Sequence, residues 1–270
     1  CYLCSFLHMR PLRNNVFILN LLYQMLPVGR TEKIIGGHVA EPHSRPYMVF
    51  IRRHLANNEE SFCDGFLLNE DFVMTAAHCQ ANNFTVYLGV DNTKFLKNDE
   101  IQDRTVEKAF PHENYDKNAF IDDIMLLKLS SRAVVNNFVK PIALASHDDV
   151  TLPKSCIVSG WGQTRPDGVI SDKLMEMNVT LIENSNCTKL KLYYVIDNIT
   201  SHCHSSDRYI MCVFLQGDSG GPLVCGHSSA YGVVAFMSQN ANGPSMVAYT
   251  KIPCYVDWIT STMKKALSKE

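Results

Sequence analysis

Short apolar runs separated by turn residues follow one another along the chain from Ile34 onward. The clearest of these runs are 47–51, 72–75, 85–88, 124–127, 156–159 and 231–236. Their length and spacing are typical of β-strands, and they do not alternate with helical patterns. Breaks rich in Asn, Asp and Gly, such as 57–58 and 166–168, predict the loops between them. The pattern therefore predicts an all-β barrel or sandwich.

Only the C-terminal tail has the spacing of an amphipathic helix. Its apolar residues recur three to four positions apart, and two lysines follow near the end, where they complement the helix dipole. The residues concerned are Tyr255, Trp258, Ile259 and Met263, followed by Lys264 and Lys265.

An apolar run near the N-terminus predicts a secretory signal peptide. Arg10 and Arg13 precede the run 16–26, and Gly29 and Thr31 follow it. The run is too short and too interrupted to be a stable membrane anchor, and basic residues before it are typical of a signal peptide. The alternative is a buried helix at the start of a domain. No other stretch is long and apolar enough to span a membrane, so we expect no membrane anchor.

Composition narrows the class of protein. Of the 270 residues, 25 are Lys or Arg and 27 are Asp or Glu, which gives a formal charge of −2. This balance gives no reason to expect a nucleic-acid partner. The 10 cysteines fit an oxidising, secretory environment in which disulfides persist.

Three local patterns carry candidate chemistry. His78 ends an apolar run beside a cysteine, Asp123 directly precedes another apolar run, and Ser219 lies in a glycine-rich turn. A serine hydroxyl becomes a useful nucleophile when a histidine removes its proton and a carboxylate orients that histidine. The backbone N–H groups of Gly217 and Ser219 can then point at a developing oxyanion. A histidine or acid of this kind alone is more often structural, but all three together in this order indicate a catalytic triad.

From Ile34 to about Met263 the chain resembles a chymotrypsin-fold serine protease. The stretches 34–38 and 42–48 resemble the granzyme and mast-cell-protease branch in particular. The resemblance implies an all-β fold of two antiparallel six-stranded β-barrels with a C-terminal helix and an active site between the barrels. The implied boundaries are 1–33 for a signal peptide and activation propeptide, 34–270 for the peptidase domain, about 34–135 and 150–252 for the barrels, and about 253–266 for the helix.

The resemblance also implies roles for the three patterns. His78 would be the general base, Asp123 its orienting acid and Ser219 the nucleophile. Asp122 also precedes the apolar run, but Asp123 directly adjoins Ile-x-Leu-Leu as in the family. The implied protein is a secreted or granule-stored, monomeric serine endopeptidase that works through an acyl-enzyme. Its partners would be protein or peptide substrates and protease inhibitors, and it would need no cofactor.

Zymogen activation follows from the same resemblance. A new amine at Ile34 would pair with the carboxylate of Asp218 and order the oxyanion loop. Signal cleavage after Thr31 would leave the dipeptide Glu32-Lys33, which resembles the one that granzymes lose. Tryptic cleavage after Lys33 would give the same N-terminus, so the sequence leaves the activating enzyme open.

The resemblance implies three disulfides, Cys63 with Cys79, Cys156 with Cys225, and Cys187 with Cys212. Cys203 and Cys254 have no family partner. They could be free, bridged to each other or intermolecular, and we expect them to be free and partly buried.

The substrate pocket departs from the family. The segment 212–217 is shorter than the corresponding run, which forms one wall and the base of the pocket. Ala235 replaces a usual serine, and bulky Met237 and Val247 replace small wall residues. If the short segment is genuine, the bulky walls imply either a shallow apolar pocket that favours small or medium apolar P1 side chains, or a pocket that barely binds substrate. If it reflects a mis-assembled coding sequence, the pocket is normal. The implied substrate-binding residues are Gln216, Ala235, Phe236, Met237 and Val247.

The short segment and Ala235 allow a second function, that of a pseudoprotease acting as a binding or regulatory module, although no triad residue is lost.

His202-Cys203-His204 is the tightest group of metal-ligating types. It lacks a further ligand pair at zinc spacing, so we expect an exposed loop and no metal site.

Overall fold

The computed structural model describes residues 37–146, 155–163, 169–182, 192–196, 218–226, 229–238 and 246–268. The chain divides into two compact units, Cys1–Glu32 and Lys33–Glu270, and every described residue belongs to the second. The predicted signal peptide therefore lies outside the described residues. Within those residues, none of the helices has the length and apolar character needed to cross a membrane.

A closed barrel of six strands forms the first half of the fold. A short strand, β1 (His38–Val39), precedes it, and the barrel strands pair in the order β2-β3-β4-β7-β6-β5. Strands β4 and β7 are buried along their whole length, while β6 alternates between more and less exposed positions over its first part. The six strands are β2 (Met48–His54), β3 (Glu60–Leu67), β4 (Phe72–Thr75), β5 (Asn83–Leu88), β6 (Gln102–Pro111) and β7 (Met125–Leu129).

An eight-stranded sheet forms the second half. Six of its strands pair in a circuit, β9-β10-β11-β14-β13-β12, which the pairing of β12 with β9 closes. Strand β1 adds to β10, and β8 adds to β13 in parallel. The strands of this half are β8 (Ala143–Leu144), β9 (Ser155–Gly160), β10 (Met175–Ile182), β11 (Leu192–Ile196), β12 (Pro222–Cys225), β13 (Ser229–Ser238) and β14 (Met246–Lys251).

Within the described ranges one α-helix occurs, in the C-terminal segment. Helix α1 (Val256–Leu267) follows a 3-10 turn, Ile252–Tyr255, and buries Ile259 against the core of the first barrel. Trp258 and Met263, on the same predicted face, pack against that core as partly buried residues. The predicted all-β fold with a C-terminal helix is confirmed.

Two of the three implied disulfides lie in the described structure. Cys63–Cys79 joins β3 to the turn that carries His78, and Cys156–Cys225 joins β9 to β12. The implied pair Cys187–Cys212 and the cysteine Cys203 lie outside the described residues. Cys254 is exposed, so the expectation that it is partly buried is wrong. It lies in the 3-10 turn before α1, whose other three residues turn inward and leave this position facing solvent.

Candidate active site

His78 lies in a short turn at the end of a fully buried strand. Strand β4 anchors one side of the 3-10 turn Ala77–Cys79, and the disulfide from Cys79 to β3 anchors the other. The guanidinium group of Arg53 donates a hydrogen bond of 3.4 Å to the backbone carbonyl of His78. The side chain of His78 is 19% exposed. The imidazole is therefore held on a rigid backbone while part of it still faces solvent.

The carboxylate of Asp123 is fully buried and binds His78 at two points. One oxygen accepts the backbone N–H of His78 at 2.8 Å, and the other lies 2.7 Å from ring Nδ1. An ionised carboxylate only accepts hydrogen bonds, so Nδ1 carries the proton and Nε2 has the lone pair that a base needs. From β14, the hydroxyl of Thr250 donates to the backbone carbonyl of Asp123 at 2.9 Å. The acid is thus tied to both halves of the fold.

Asp122, the other candidate acid, has different partners. Its carboxylate accepts a 2.6 Å hydrogen bond from the hydroxyl of Tyr255 and lies 4.0 Å from the ring of His112. Burial and the adjacent Asp122 carboxylate raise the pKa of Tyr255, which therefore stays a hydrogen-bond donor. The structure places Asp123 on the candidate base and Asp122 on Tyr255, in the 3-10 turn before α1.

Ser219 lies in a tight turn that glycine makes possible. The N–H of Gly221 donates to the carbonyl of Asp218 at 3.0 Å and closes the turn, in which Gly220 has φ of +85°. A side chain at Gly220 would be strained at this φ and would also overlap Thr75. Gly220 and Gly221 exchange backbone hydrogen bonds with Val234 of β13. The turn is therefore pinned to the second half of the fold.

The same turn also contacts the first barrel. The backbone N–H of Asp64, in β3, donates to the carbonyl of Ser219 at 2.8 Å. The sulfur of Cys79 lies 3.7 Å from that carbonyl oxygen, and Cys79 is the residue after His78. The backbone of the serine turn therefore lies against β3 and the disulfide of the histidine turn.

Two buried carboxylates lie behind the serine turn. Asp218 accepts the N–H of Gly162 at 2.8 Å, and Asp64 accepts the N–H of Trp161 at 3.1 Å. Burial raises the pKa of Asp218 to about 7. Burial and the neighbouring Asp218 carboxylate raise the pKa of Asp64. Sequence reasoning missed Asp64; its signal was an acid between Cys63 and a glycine within a predominantly apolar segment.

An aromatic side chain that the sequence did not single out covers one side of His78. The ring of Phe120 lies 5.9 Å from the imidazole of His78 and 5.3 Å from the ring of Phe236, measured between centroids. Phe120 has φ of +52°, in the left-handed region that bulky residues seldom adopt. Phe120 and Phe236 are both half-buried, so they form an apolar wall beside the imidazole.

The other predicted substrate-binding residues are only partly described. Ala235 and Val247 are buried, and Val247 belongs to the core of the second half. The backbone of Met237 pairs with Val247, but its side chain lies outside what the structure describes. Gln216 lies wholly outside the described residues, as do Gly217 and Ile34.

One group of metal-ligating types occurs among the described residues. It consists of Cys63, His78 and Cys79. Both sulfurs are joined to each other in the disulfide, so neither is the thiolate that a metal would need. This group is therefore part of the scaffold of the histidine turn.

Comparison with known proteins identifies the family. The family model described as Trypsin matches residues 34–259. Granzyme-like protein 1 of Rattus norvegicus is 39% identical over 254 residues, covering 93% of this chain and 100% of the relative. Granzyme E of Mus musculus is 41% identical over 250 residues, covering 92% of this chain and 98% of the relative. The solved structure of GrC superposes with a TM-score of 0.73 at 34% identity, covering 86% of this chain and 100% of that one. The chain therefore belongs to the trypsin family of serine proteases and is granzyme-like.

Proposed function

We propose that this chain is a serine endopeptidase that hydrolyses peptide bonds through an acyl-enzyme, with Ser219 as nucleophile, His78 as base and Asp123 as orienting acid. The observation that carries the proposal is the two-point contact between His78 and the buried Asp123 carboxylate beside the turn of Ser219. A carboxylate held in this way stabilises the imidazolium that forms when histidine takes a proton.

The chemistry proceeds in two halves. The hydroxyl oxygen of Ser219 attacks the substrate carbonyl while Nε2 of His78 takes the hydroxyl proton, which it then gives to the leaving amine. The N–H groups of Gly217 and Ser219 stabilise the negative oxygen of each tetrahedral intermediate. Water, deprotonated by the same imidazole, then hydrolyses the ester and restores Ser219.

The preferred substrate is a peptide with a small or medium apolar P1 side chain. Met237, a bulky residue expected in the pocket wall, supports this preference, whereas Val247, also expected there, packs in the core of the second half. The aromatic wall of Phe120 and Phe236 adds apolar surface beside His78. Cleavage of a peptide library tests the preference, and a strong preference for basic or acidic P1 residues would contradict it.

The enzyme is made in the secretory pathway as a zymogen and acts as a monomer that protease inhibitors can bind. The apolar run after Arg13, the disulfides and the names of the relatives, granzyme and mast cell protease, support secretion or storage in granules. Residues 1–33 are removed, and the new amine of Ile34 pairs with Asp218.

Labelling by a fluorophosphonate probe tests the catalytic assignment. Protein processed to begin at Ile34 should label at Ser219, and the Ser219→Ala protein, processed in the same way, should not. Absence of labelling in correctly processed wild-type protein would contradict the proposal. Labelling without turnover of any peptide in the library would favour the alternative of a pseudoprotease that binds partners.

A further inference from the structure

The two carboxylates behind the serine turn are unusual in having so few partners. Asp64 is completely buried and Asp218 is 2% exposed. Each accepts one backbone N–H, from Trp161 and Gly162 respectively. Within the described part of the chain, the second oxygen of each carboxylate, Oδ1 of Asp64 and Oδ2 of Asp218, accepts no hydrogen bond. Buried carboxylate oxygens without partners are costly, so this pair is suited to accept hydrogen bonds from a further donor.

The side chain of Asp64 has no visible part in holding the serine turn. The backbone of Asp64 makes those contacts, by donating to the carbonyl of Ser219 and accepting from the hydroxyl of Thr75. A smaller residue at position 64 could make the same backbone bonds. The carboxylate itself therefore needs another explanation.

The surrounding backbone is shaped to admit both acids. A Cβ atom at Gly160 would overlap a carboxylate oxygen of Asp218 and one of Asp64. A Cβ atom at Gly162 would overlap the Asp218 carboxyl group. Because both side chains lie against the same glycine, the two carboxyl groups are close to each other.

The ligand that suits two neighbouring buried carboxyl groups is a compact cation. None of the ion pairs found among the described residues involves Asp64 or Asp218. Among the described residues, the phenol of Tyr249 in β14 also interacts with Asp218, and its pKa is raised by burial and by the charge of Asp218. A neutral phenol cannot balance two negative charges, whereas an ammonium group can donate three hydrogen bonds into the site.

We propose that Asp64 and Asp218 together form the receptor for the α-ammonium group that cleavage before Ile34 creates, so that two carboxylates hold the new N-terminus. This inference rests on the proposed activation at Ile34 and adds a second acid to it. Asp64 is a positioning residue here: it acts on the serine turn through the ammonium group and Asp218.

The proton balance of the site makes activation depend on pH. In the uncleaved chain, the carboxyl pair relieves its repulsion by keeping one proton, in agreement with the raised pKa of each acid. When the ammonium group enters, that proton goes to solvent. The site holds one carboxylate and one carboxylic acid before insertion, and two carboxylates and one ammonium group afterwards, so its net charge is −1 in both states. Since one proton leaves, the equilibrium constant for insertion rises about tenfold per pH unit below neutral pH. Cleaved protein is therefore held inactive at acidic pH and becomes active near neutrality.

Reactivity of the Ile34 amine measures insertion directly. Cleaved protein is treated with trace acetic anhydride at pH 8, and the acetylated fraction of the N-terminal peptide is read by mass spectrometry. We expect wild-type protein and an exposed-acid control, Asp99→Asn, to protect the amine by about 100-fold relative to the free peptide. Asp64→Asn should lose about tenfold of this protection, the effect of about 1.4 kcal/mol. Asp64→Asn protein that protects the amine as well as wild type would overturn the inference.

A second measurement separates this role from a general effect on folding. In the uncleaved protein, Asp64→Asn removes a like-charge contact, so we expect its Tm at pH 8 to equal or exceed that of wild type. A Tm lowered equally in uncleaved and cleaved protein would mean that Asp64 serves only the fold, and would overturn the inference. If the amine of cleaved wild-type protein reacts like the free peptide, activation at Ile34 is itself wrong, and this inference fails with it. Probe labelling of Ser219 reports separately on the peptidase assignment.

Discussion

The ring Nδ1 of His78 lies 2.7 Å from one carboxylate oxygen of Asp123, and the backbone N–H of His78 donates to the other oxygen at 2.8 Å. Because both oxygens bind the same residue, the carboxylate fixes the position of the backbone and the rotation of the ring together. The buried setting of Asp123 strengthens the contact, since little water competes for it. The residue thus sets which ring nitrogen is free to act.

Replacing Asp123 with Asn should abolish most of the activity without unfolding the protein. An amide can donate to Nδ1, which would leave the proton on Nε2 and remove the base. We expect kcat to fall by about 10⁴-fold with little change in KM. The neighbouring variant Asp122→Asn is the matched control, because Asp122 binds Tyr255 and not His78. A similar loss of kcat in both variants would contradict the assignment of Asp123.

The hydroxyl of Thr250 should support activity through the backbone of Asp123. Thr250→Val keeps the shape but leaves the buried carbonyl of Asp123 without its 2.9 Å donor. We expect a loss of about 1–3 kcal/mol in the free energy of unfolding and a fall of roughly tenfold in kcat. Thr250→Ser retains the hydroxyl, so its kcat should stay near that of wild type. Equal kcat values for the two variants would show that the hydrogen bond is not needed.

The serine turn should not tolerate a side chain at Gly220. In Gly220→Ala the new Cβ would lie 2.5 Å from the carbonyl oxygen of Asp64, at a φ of +85°. We expect a loss of about 2–5 kcal/mol in the free energy of unfolding, together with loss of probe labelling. Gly89→Ala is the control, because Gly89 also has a positive φ, of +78°. The new Cβ at this position would lie 3.3 Å from its nearest neighbour, a side-chain carbon of Val139. Its cost should be only about 1–2 kcal/mol. Comparable unfolding curves for the two variants would contradict the steric argument.

The stability of the uncleaved protein should fall as pH rises toward neutrality. In the folded chain the pKa of Asp218 is raised from 3.8 to about 7, so the folded state keeps a proton that the unfolded state releases. This stabilisation is complete below about pH 4 and is lost as pH rises through about 7. Urea unfolding of uncleaved Ser219→Ala protein should show about 3 kcal/mol less stability at pH 8 than at pH 5.

The variant Asp218→Asn in the same Ser219→Ala background isolates this effect from other titrating groups. Its free energy of unfolding should differ much less between pH 5 and pH 8 than that of the parent protein. Asp64→Asn should reduce the difference by a smaller amount, and Tyr249 stays neutral over this range. A pH dependence that is the same in Asp218→Asn would show that other groups cause it.

Six of the strands, the C-terminal helix and the main catalytic candidates could be predicted from the sequence alone. Short apolar runs bounded by turn residues are typical of strands, and the apolar spacing of the tail from Tyr255 is typical of a helix. The motifs around His78 and Ser219 are local, because a turn needs its glycines and a strand end needs its apolar neighbours close in sequence.

Only the tertiary structure decided which side chains meet. Asp122 and Asp123 are adjacent in sequence, yet one binds Tyr255 and the other binds His78, because the backbone between them turns sharply at a φ of +55° at Asp122. The carboxyl group of Asp64 meets that of Asp218 because β3 packs against the serine turn. These contacts join residues that are far apart along the chain. The pattern of apolar and polar positions predicts which residues are buried, but it does not predict which distant side chain a buried acid contacts.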